Sequence, residues 1–267
     1  MDFLQLEGKW ILVAGVANRR SIAWHVAQGL REAGAHVLYL FRNQELLEKN
    51  RSLIGPEALA FPCDLEHPEE LPAMAQWVAG HTSRLDGILH SVAFANYSQG
   101  LLPFHQIPRE DFLQALDISC LSLPRMCHAL QALLAPDASI VTMSISSTRM
   151  AAESYGYMGP VKAALDSTVV FLAKSLTHSL SPEIRVNAVG AAPLKTSASA
   201  GIPGYVDAYL FAEKATMRHR ALETREAADT ALFLLSPRAS GINAQTLVVD
   251  AGMGANFFDD TILHPGE

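Results

Sequence analysis

The sequence predicts a single α/β domain, a doubly wound parallel sheet of about seven strands with helices on both faces. Three observations carry that expectation. Short apolar runs alternate with helical stretches along nearly the whole chain, an order that implies right-handed β-α-β crossovers. The runs are almost continuously apolar, as strands buried on both faces require, and do not alternate apolar with polar. No linker rich in Gly, Ser or Pro and no internal repeat interrupts the series, so residues 1–267 read as one unit.

Trp10–Val13 reads as the first strand, followed by an amphipathic helix over Ser21–Ala33. Val37–Phe41 is the second strand, with a charged helix after it to about Lys49. Ala58–Pro62 is the third, ended by its proline, and a helix follows from Pro68 to Val78. Gly87–Ser91 and Ile140–Met143 are the fourth and fifth strands, separated by helical segments around Phe112–Leu134. Pro160–Thr177 is helical, Arg185–Val189 the sixth strand, Arg225–Leu235 a helix and Thr246–Val249 the seventh strand. The long irregular stretch, Ala191–Gly204, is rich in Ala, Ser, Gly and Pro. It reads as part of a substrate-binding loop over about 191–215 that covers a pocket. The tail 257–267 carries no assignment.

Composition narrows the functions available. A formal net charge of −7 argues against general affinity for nucleic acid or an anionic membrane. Cys63, Cys120 and Cys127 are odd in number and lack a CxxC pair, which suits a reducing compartment. The ten histidines show no HExxH-like spacing, so no metal site is expected. The first residues do not form a signal peptide, and no apolar run approaches the roughly 18 residues of a membrane span. A cytoplasmic protein is expected.

In a doubly wound sheet, ligands bind beyond the carboxyl ends of the strands. After the first strand, Gly15 allows a sharp turn and Ser21 can cap the next helix, which Ser21 and Ile22 open and whose N-terminal amides suit a pyrophosphate. The segment is not GxGxxG, and a strand-turn-helix without a ligand fits it equally well. Asp64 and Leu65 follow the third strand, where a carboxylate can accept the adenine amino group. Ser91, Val92 and Ala93 follow the fourth, small enough for close approach to a ribose. Arg42 stands after the second strand in place of an acid that would take the ribose hydroxyls of NAD. It can pair with the 2′-phosphate of NADP, stack on adenine, or stand as a solvated surface arginine.

The most informative stretch is Tyr155-Gly156-Tyr157-Met158-Gly159-Pro160-Val161-Lys162. Tyr155 and Lys162 fall on nearly one helical face, two turns apart. Pro160 is tolerated only in a first helical turn, so Tyr155 belongs at or before the helix start. A neighbouring ammonium would lower the phenol pKa from about 10 and make it a better acid.

With Asp117-Ile118-Ser119, Arg185-Val186-Asn187-Ala188, Pro193-Leu194-Lys195-Thr196 and Val249-Asp250-Ala251-Gly252, these motifs resemble those of the bacterial enoyl-acyl-carrier-protein reductases. These are a branch of the short-chain dehydrogenase/reductase superfamily. The resemblance runs from about Gly8 to Gly254, and the long Tyr-x6-Lys spacing is characteristic of that branch. It implies a Rossmann-like fold and NAD(P)H-dependent reduction of trans-2-enoyl thioesters. Tyr155 would donate to the developing enolate and Lys162 would hold the nicotinamide ribose. Ser21, Ile22, Asp64, Leu65, Val92, Ala93, Ile118, Pro193, Leu194 and Thr196 would contact the cofactor. Phe94, Ala95, Ile145, Met158, Ala198, Ile202 and Tyr205 would wall the acyl pocket. The family uses NADH or NADPH, so NAD(H) is expected and NADP(H) stays open. A homotetramer is expected too, with acyl carrier protein as the partner.

The chain departs from the family pattern in places. Ile145 stands where many members carry a second tyrosine, which removes a polar wall of the pocket. Ala192 replaces a glycine, and Met217-Arg218-His219-Arg220 replaces a Pro-Leu-Arg-Arg-like segment. Lys214, Arg218, Arg220 and Arg225 cluster beside the proposed loop, as a docking patch for an acidic carrier or as a solvated face. Reduction of another enone or carbonyl, and a non-catalytic NAD(P)-binding sensor, are the competing functions.

Overall fold

The seven apolar runs are strands β1 (Trp10–Ala14), β2 (His36–Phe41), β3 (Ala60–Pro62), β4 (Leu85–His90), β5 (Leu134–Ile145), β6 (Arg185–Ala191) and β7 (Thr246–Val249). They come from a computed structural model that describes residues 3–152, 155–196, 199, 202 and 204–263. Among these residues they form one sheet in the order β3-β2-β1-β4-β5-β6-β7, and every pairing is parallel. The helices are α1 (Ile22–Glu32), α2 (Gln44–Ile54), α3 (Leu71–Ala79), α4 (Arg109–Leu116), α5 (Ser122–Leu130), α6 (Met158–Ser179), α7 (Tyr205–Ala215), α8 (Thr224–Leu235) and a short α9 (Asp260–Leu263).

Burial on both faces explains the apolar runs. In β1, Ile11 and Val13 join the core under α1 and α8, while Leu12 and Ala14 join the core under α3, α5 and α6. Both cores exclude water from nearly whole side chains, each worth about 1.5–3 kcal/mol. On the first face α1 and α8 approach closely at Gly29, where a Cβ would sit 2.3 Å from a Leu232 methyl. The end of α8 is closed from the sheet: the buried Arg185 guanidinium donates to the carbonyls of Leu234, Ser236 and Ala239 at 2.9–3.0 Å. A cation suits a helix C-terminus, whose last carbonyls are otherwise unpaired.

Several boundaries differ from the sequence expectation, and four of them bear on the site or its supports. The strand expected at Ile140 begins at Leu134, and the helical segment expected to reach Leu134 stops at Leu130. Pro136 and Asp137 interrupt the apolar pattern there, and the pairing with β4 shifts register between Leu85 and Gly87. Helix α6 begins at Met158, which puts Pro160 in its first turn, where the missing N–H costs nothing. The expected loop over 191–215 ends in helix α7: Tyr209, Ala212 and Ala215 are buried, while Val206, Leu210 and Phe211 are exposed. Its apolar residues do not collect on the buried face, so periodicity concealed it. Between α4 and α5, residues Asp117–Leu121 form one π-helical turn.

Candidate active site

The strand order turns back between β1 and β4, so the connections at their carboxyl ends diverge and leave a crevice. A cleft of about 1140 Å³ opens there. It is lined by Gly15, Ser21, Ile22, Arg42, Asp64, Leu65, Ser91, Val92, Ala93 and Ile118, by Pro193, Leu194 and Thr196, and by Tyr155 and Lys162. Phe94, Ala95, Ile145, Met158, Ile202 and Tyr205 line the same cleft. Ala198 lies outside the described residues.

At one end, β1 runs into a turn pressed against β4. The Ser91 N–H donates to the Ala14 carbonyl at 3.0 Å. A Cβ on Gly15 would stand 2.0 Å from the Ser91 carbonyl oxygen, and Gly15 has φ +107°. Only glycine tolerates both conditions. Ser21 occupies the N-cap position of α1, but it does not cap the helix as the sequence suggested. Its Oγ turns back to donate to the Asn18 carbonyl at 2.6 Å. The Ile22 and Ala23 amides are therefore not spent on the Ser21 side chain, while the Trp24 N–H donates to the Ser21 carbonyl at 3.1 Å. Asp64 is half-buried, its Oδ1 accepting from the Glu66 N–H and its own N–H donating to Glu70. Arg42 is exposed at the rim.

The floor of the cleft is held by the π-turn. Ser119 Oγ accepts from the Phe94 N–H at 2.9 Å and donates to the Phe94 carbonyl at 3.2 Å, fixing the chain beyond β4. Ile118, 7% exposed, presents its side chain to the cleft from the same turn.

At the other end stand Tyr155, half-buried just before α6, and Lys162, buried on its second turn. Lys162 Nζ donates to the Met143 carbonyl at 2.7 Å. Burial draws this ammonium down to about 8, against the pull of Asp166 and Cys120. The expectation that the ammonium would lower the Tyr155 pKa is overturned. Burial pushes that phenol well above its ordinary value, and the Tyr205 and Tyr97 phenols push the same way. Desolvation penalises the phenolate more than any neighbour favours it. His90, wholly buried and hydrogen-bonded to Thr142 and Ser122, is pulled to about 3 by burial and then by Lys162, and stays neutral.

The segment after β6 is tied down by its own side chains. The Leu194 N–H donates to the Tyr205 hydroxyl at 2.7 Å, and that hydroxyl donates to the Leu194 carbonyl at 2.9 Å. Tyr205 therefore offers its ring, not its hydroxyl, to the cleft. Ser199 Oγ likewise engages Leu194 and Thr196, and its N–H donates to Thr196 Oγ1. Ile145 ends β5 opposite Ala191 and adds an apolar wall.

Sequence reading missed several lining residues. Ser144 is 6% exposed, and its Oγ has no partner among the described residues. Tyr97, Phe211 and Asp207 also line the cleft. Tyr97 sits two residues beyond the His90–Ala95 run, and a longer reading of that strand end would have included it. Phe211 and Asp207 lie on α7, which the loop assignment hid.

Comparison with known proteins matches residues 15–254 to the family model described as enoyl-(acyl carrier protein) reductase. The chain is 39% identical over 254 residues to the enoyl-acyl-carrier-protein reductase (NADH) FabI of Nostoc sp., covering 93% of this chain and 97% of that protein. It is 34% identical to the FabI of Staphylococcus aureus, named for NADPH, over 94% of this chain and 99% of the relative. The crystal structure of the NADH enoyl-acyl-carrier-protein reductase of Aquifex aeolicus superposes with a TM-score of 0.89 at 30% identity. That match covers 95% of this chain and 99% of the other.

Proposed function

Because this chain belongs to the enoyl-acyl-carrier-protein reductase family, we propose that it reduces the carbon–carbon double bond of trans-2-enoyl thioesters with NADH or NADPH, in fatty-acid synthesis. The observation that carries this reading is one cleft joining the Gly15 turn to the Tyr155/Lys162 pair at the start of α6.

The residues present fit a dinucleotide. Gly15 lets the turn press against β4, where any Cβ would stand 2.0 Å from the Ser91 carbonyl oxygen. The Ile22 and Ala23 amides that open α1 are not spent on Ser21, whose hydroxyl turns to Asn18. Ser21 and Ile22 would hold the pyrophosphate, Asp64 and Leu65 the adenine, and Ser91, Val92 and Ala93 the adenosine side. Ile118, Pro193, Leu194 and Thr196 would border the nicotinamide, and Lys162 its ribose. The chemistry supplied by a reduced nicotinamide bound there is a hydride for the β carbon of the substrate. Tyr155 meets the charge that develops on the thioester oxygen, two carbons from that centre. A phenol held protonated by burial is suited to donate there and not to act as a base. Phe94, Ala95, Ile145, Met158 and Ile202 offer an apolar wall to the acyl chain.

An acidic carrier protein is the proposed partner. Lys214, Arg220 and Arg225 are exposed beside α7, whereas Arg218 is committed to Glu226 by two contacts of 2.6 Å. That pair holds the Glu226 carboxyl down to about 2. A homotetramer in the cytoplasm is the proposed state. Val170 and Phe171 stand exposed on α6, and β7 is an edge strand with Val248 exposed, surfaces that copies of the chain would cover. A second reading, reduction of a different enone or carbonyl, draws on Ile145, which removes a phenol from the acyl wall.

The test follows loss of the reduced-nicotinamide absorbance with crotonyl and longer enoyl thioesters, using each cofactor in turn. Turnover is expected in the wild type. Tyr155→Phe is expected to keep cofactor affinity and lose at least tenfold in turnover, about 1.4 kcal/mol or more. Undiminished turnover in that variant removes Tyr155 from the mechanism, and an inactive wild type that binds cofactor overturns the assigned substrate.

A further inference from the structure

The turn that carries Tyr155 into α6 is held from outside by a residue that no motif singles out. Tyr97, half-buried on the segment beyond β4, donates its hydroxyl to the backbone carbonyl of Tyr155 at 3.3 Å. Its ring packs on Tyr157 with centroids 5.2 Å apart, and Phe112 meets Tyr157 edge-on at 6.4 Å. Between the two tyrosines, Gly156 takes φ +51° and offers no side chain, and a Cβ there would touch the Tyr97 ring at 3.8 Å. The first turn of α6 hangs on this segment, for the Val161 N–H donates to the Tyr157 carbonyl at 3.2 Å.

Tyr97 is itself anchored. The N–H and hydroxyl of the next residue, Ser98, donate to Asp111 Oδ2 at 3.0 and 2.9 Å, and Asp111 is 3% exposed on α4. A continuous strut thus runs from α4 through Ser98 and Tyr97 to the backbone of Tyr155. We infer that Tyr97 is a positioning residue, which fixes the Tyr155–Gly156–Tyr157 turn and with it the aim of the Tyr155 phenol at the substrate oxygen. The only proton of the Tyr97 hydroxyl is spent on a backbone carbonyl, so the residue acts through Tyr155 and not on substrate. This inference rests on the role proposed for Tyr155 in enoyl reduction.

Tyr97→Phe keeps the ring and removes the hydroxyl, and it is tested in two ways. In the absence of substrate, amide hydrogen exchange at Gly156, Tyr157 and Met158 is expected to quicken about fivefold, the equivalent of one lost hydrogen bond. Amides of β1 and β4 serve as the control for folding and should not change. In steady-state kinetics, turnover should fall about fivefold with cofactor affinity unchanged. That loss should vanish when Tyr97→Phe is added to Tyr155→Phe. Tyr97→Leu, which also removes the stacking, should quicken exchange further at the same three amides. Unchanged exchange at those amides overturns the inference, and so does a loss of turnover that persists in the Tyr155→Phe background. A wild type inactive on enoyl thioesters overturns the proposed function, while the exchange comparison still decides whether Tyr97 clamps the turn.

Discussion

Lys162 holds a charge where charge is expensive. It is 4% exposed, and its ammonium has been drawn from 10.5 down to about 8. The sign of the resulting pH dependence follows from the proton count. The folded state binds this proton less readily than the unfolded chain does. Burial of the ammonium therefore costs stability in full below about pH 8, and the cost is relieved as pH rises from there toward 10.5. If the ammonium holds the cofactor, kcat/KM is complete below pH 8 and declines as pH rises through about 8. Tyr155 is pushed up and stays protonated in that window, so the alkaline limb belongs to Lys162. Lys162→Arg, which keeps its charge at high pH, should flatten the limb in a pH-rate profile; a limb unchanged in that variant reassigns it. Arg42 offers a second residue-scale prediction. Arg42→Ala should weaken NADPH binding about tenfold and leave NADH binding alone, by titration of both. Equal affinities in both proteins make Arg42 a bystander. Sequence spacing was enough to bring Tyr155 and Lys162 to one cleft, but not to one helix face: α6 begins at Met158, and Gly156 at φ +51° separates Tyr155 from it. The direction of the Tyr155 shift was not legible, because the burial that mainly raises it, and then the Tyr205 and Tyr97 phenols, come from other segments of the chain.

Elements that rest on local periodicity were read within a few residues, whereas those set by tertiary contacts were not. The central strands announced themselves through near-continuous apolar runs. The first half of β5 did not, since Pro136 and Asp137 break the pattern and only pairing with β4 draws that half into the sheet. Helix α7 was hidden for a related reason: Val206, Leu210 and Phe211 are exposed, Phe211 at the cleft, so its apolar pattern does not mark its buried side. The closure of α8 belongs to the same scale. Arg185 satisfies three carbonyls at its end from within β6, and burial lowers the guanidinium pKa. Arg185→Met removes a buried donor from all three carbonyls; Leu234 keeps the Ser139 hydroxyl and Ala239 the Ile242 N–H, while the Ser236 carbonyl loses the bond from Arg185. A loss of about 3 kcal/mol is expected, a drop in Tm of roughly 6–12 °C by calorimetry. A shift under 2 °C would mean that the end of α8 finds other partners.

At the scale of the whole molecule, the doubly wound order was legible from the alternation of elements, since parallel crossovers admit few topologies. The cleft at the β1/β4 reversal follows from that order. Surfaces are less legible, because an exposed apolar residue in a helix looks in sequence like a buried one. Phe171 is 75% exposed on α6, and a homotetramer would cover it. Phe171→Asp should lower the particle mass measured by light scattering while leaving the monomer folded. A mass unchanged by the substitution would move the interface to another face.

The π-helical turn at Asp117–Leu121 also bears on how this chain can change length. A π-turn carries one residue more than the α-helical path it replaces, and here the surplus aims Ser119 at both backbone groups of Phe94. Deleting one residue would let α4 run straight into α5 with its ladder intact, and would rotate all that precedes the deletion by about 100°. The helix would survive and the anchor beyond β4 would come loose. Insertions and deletions are thus tolerated at the surface loops of this fold but not within this apparently ordinary helix, where a single codon separates a better helix from a working cleft.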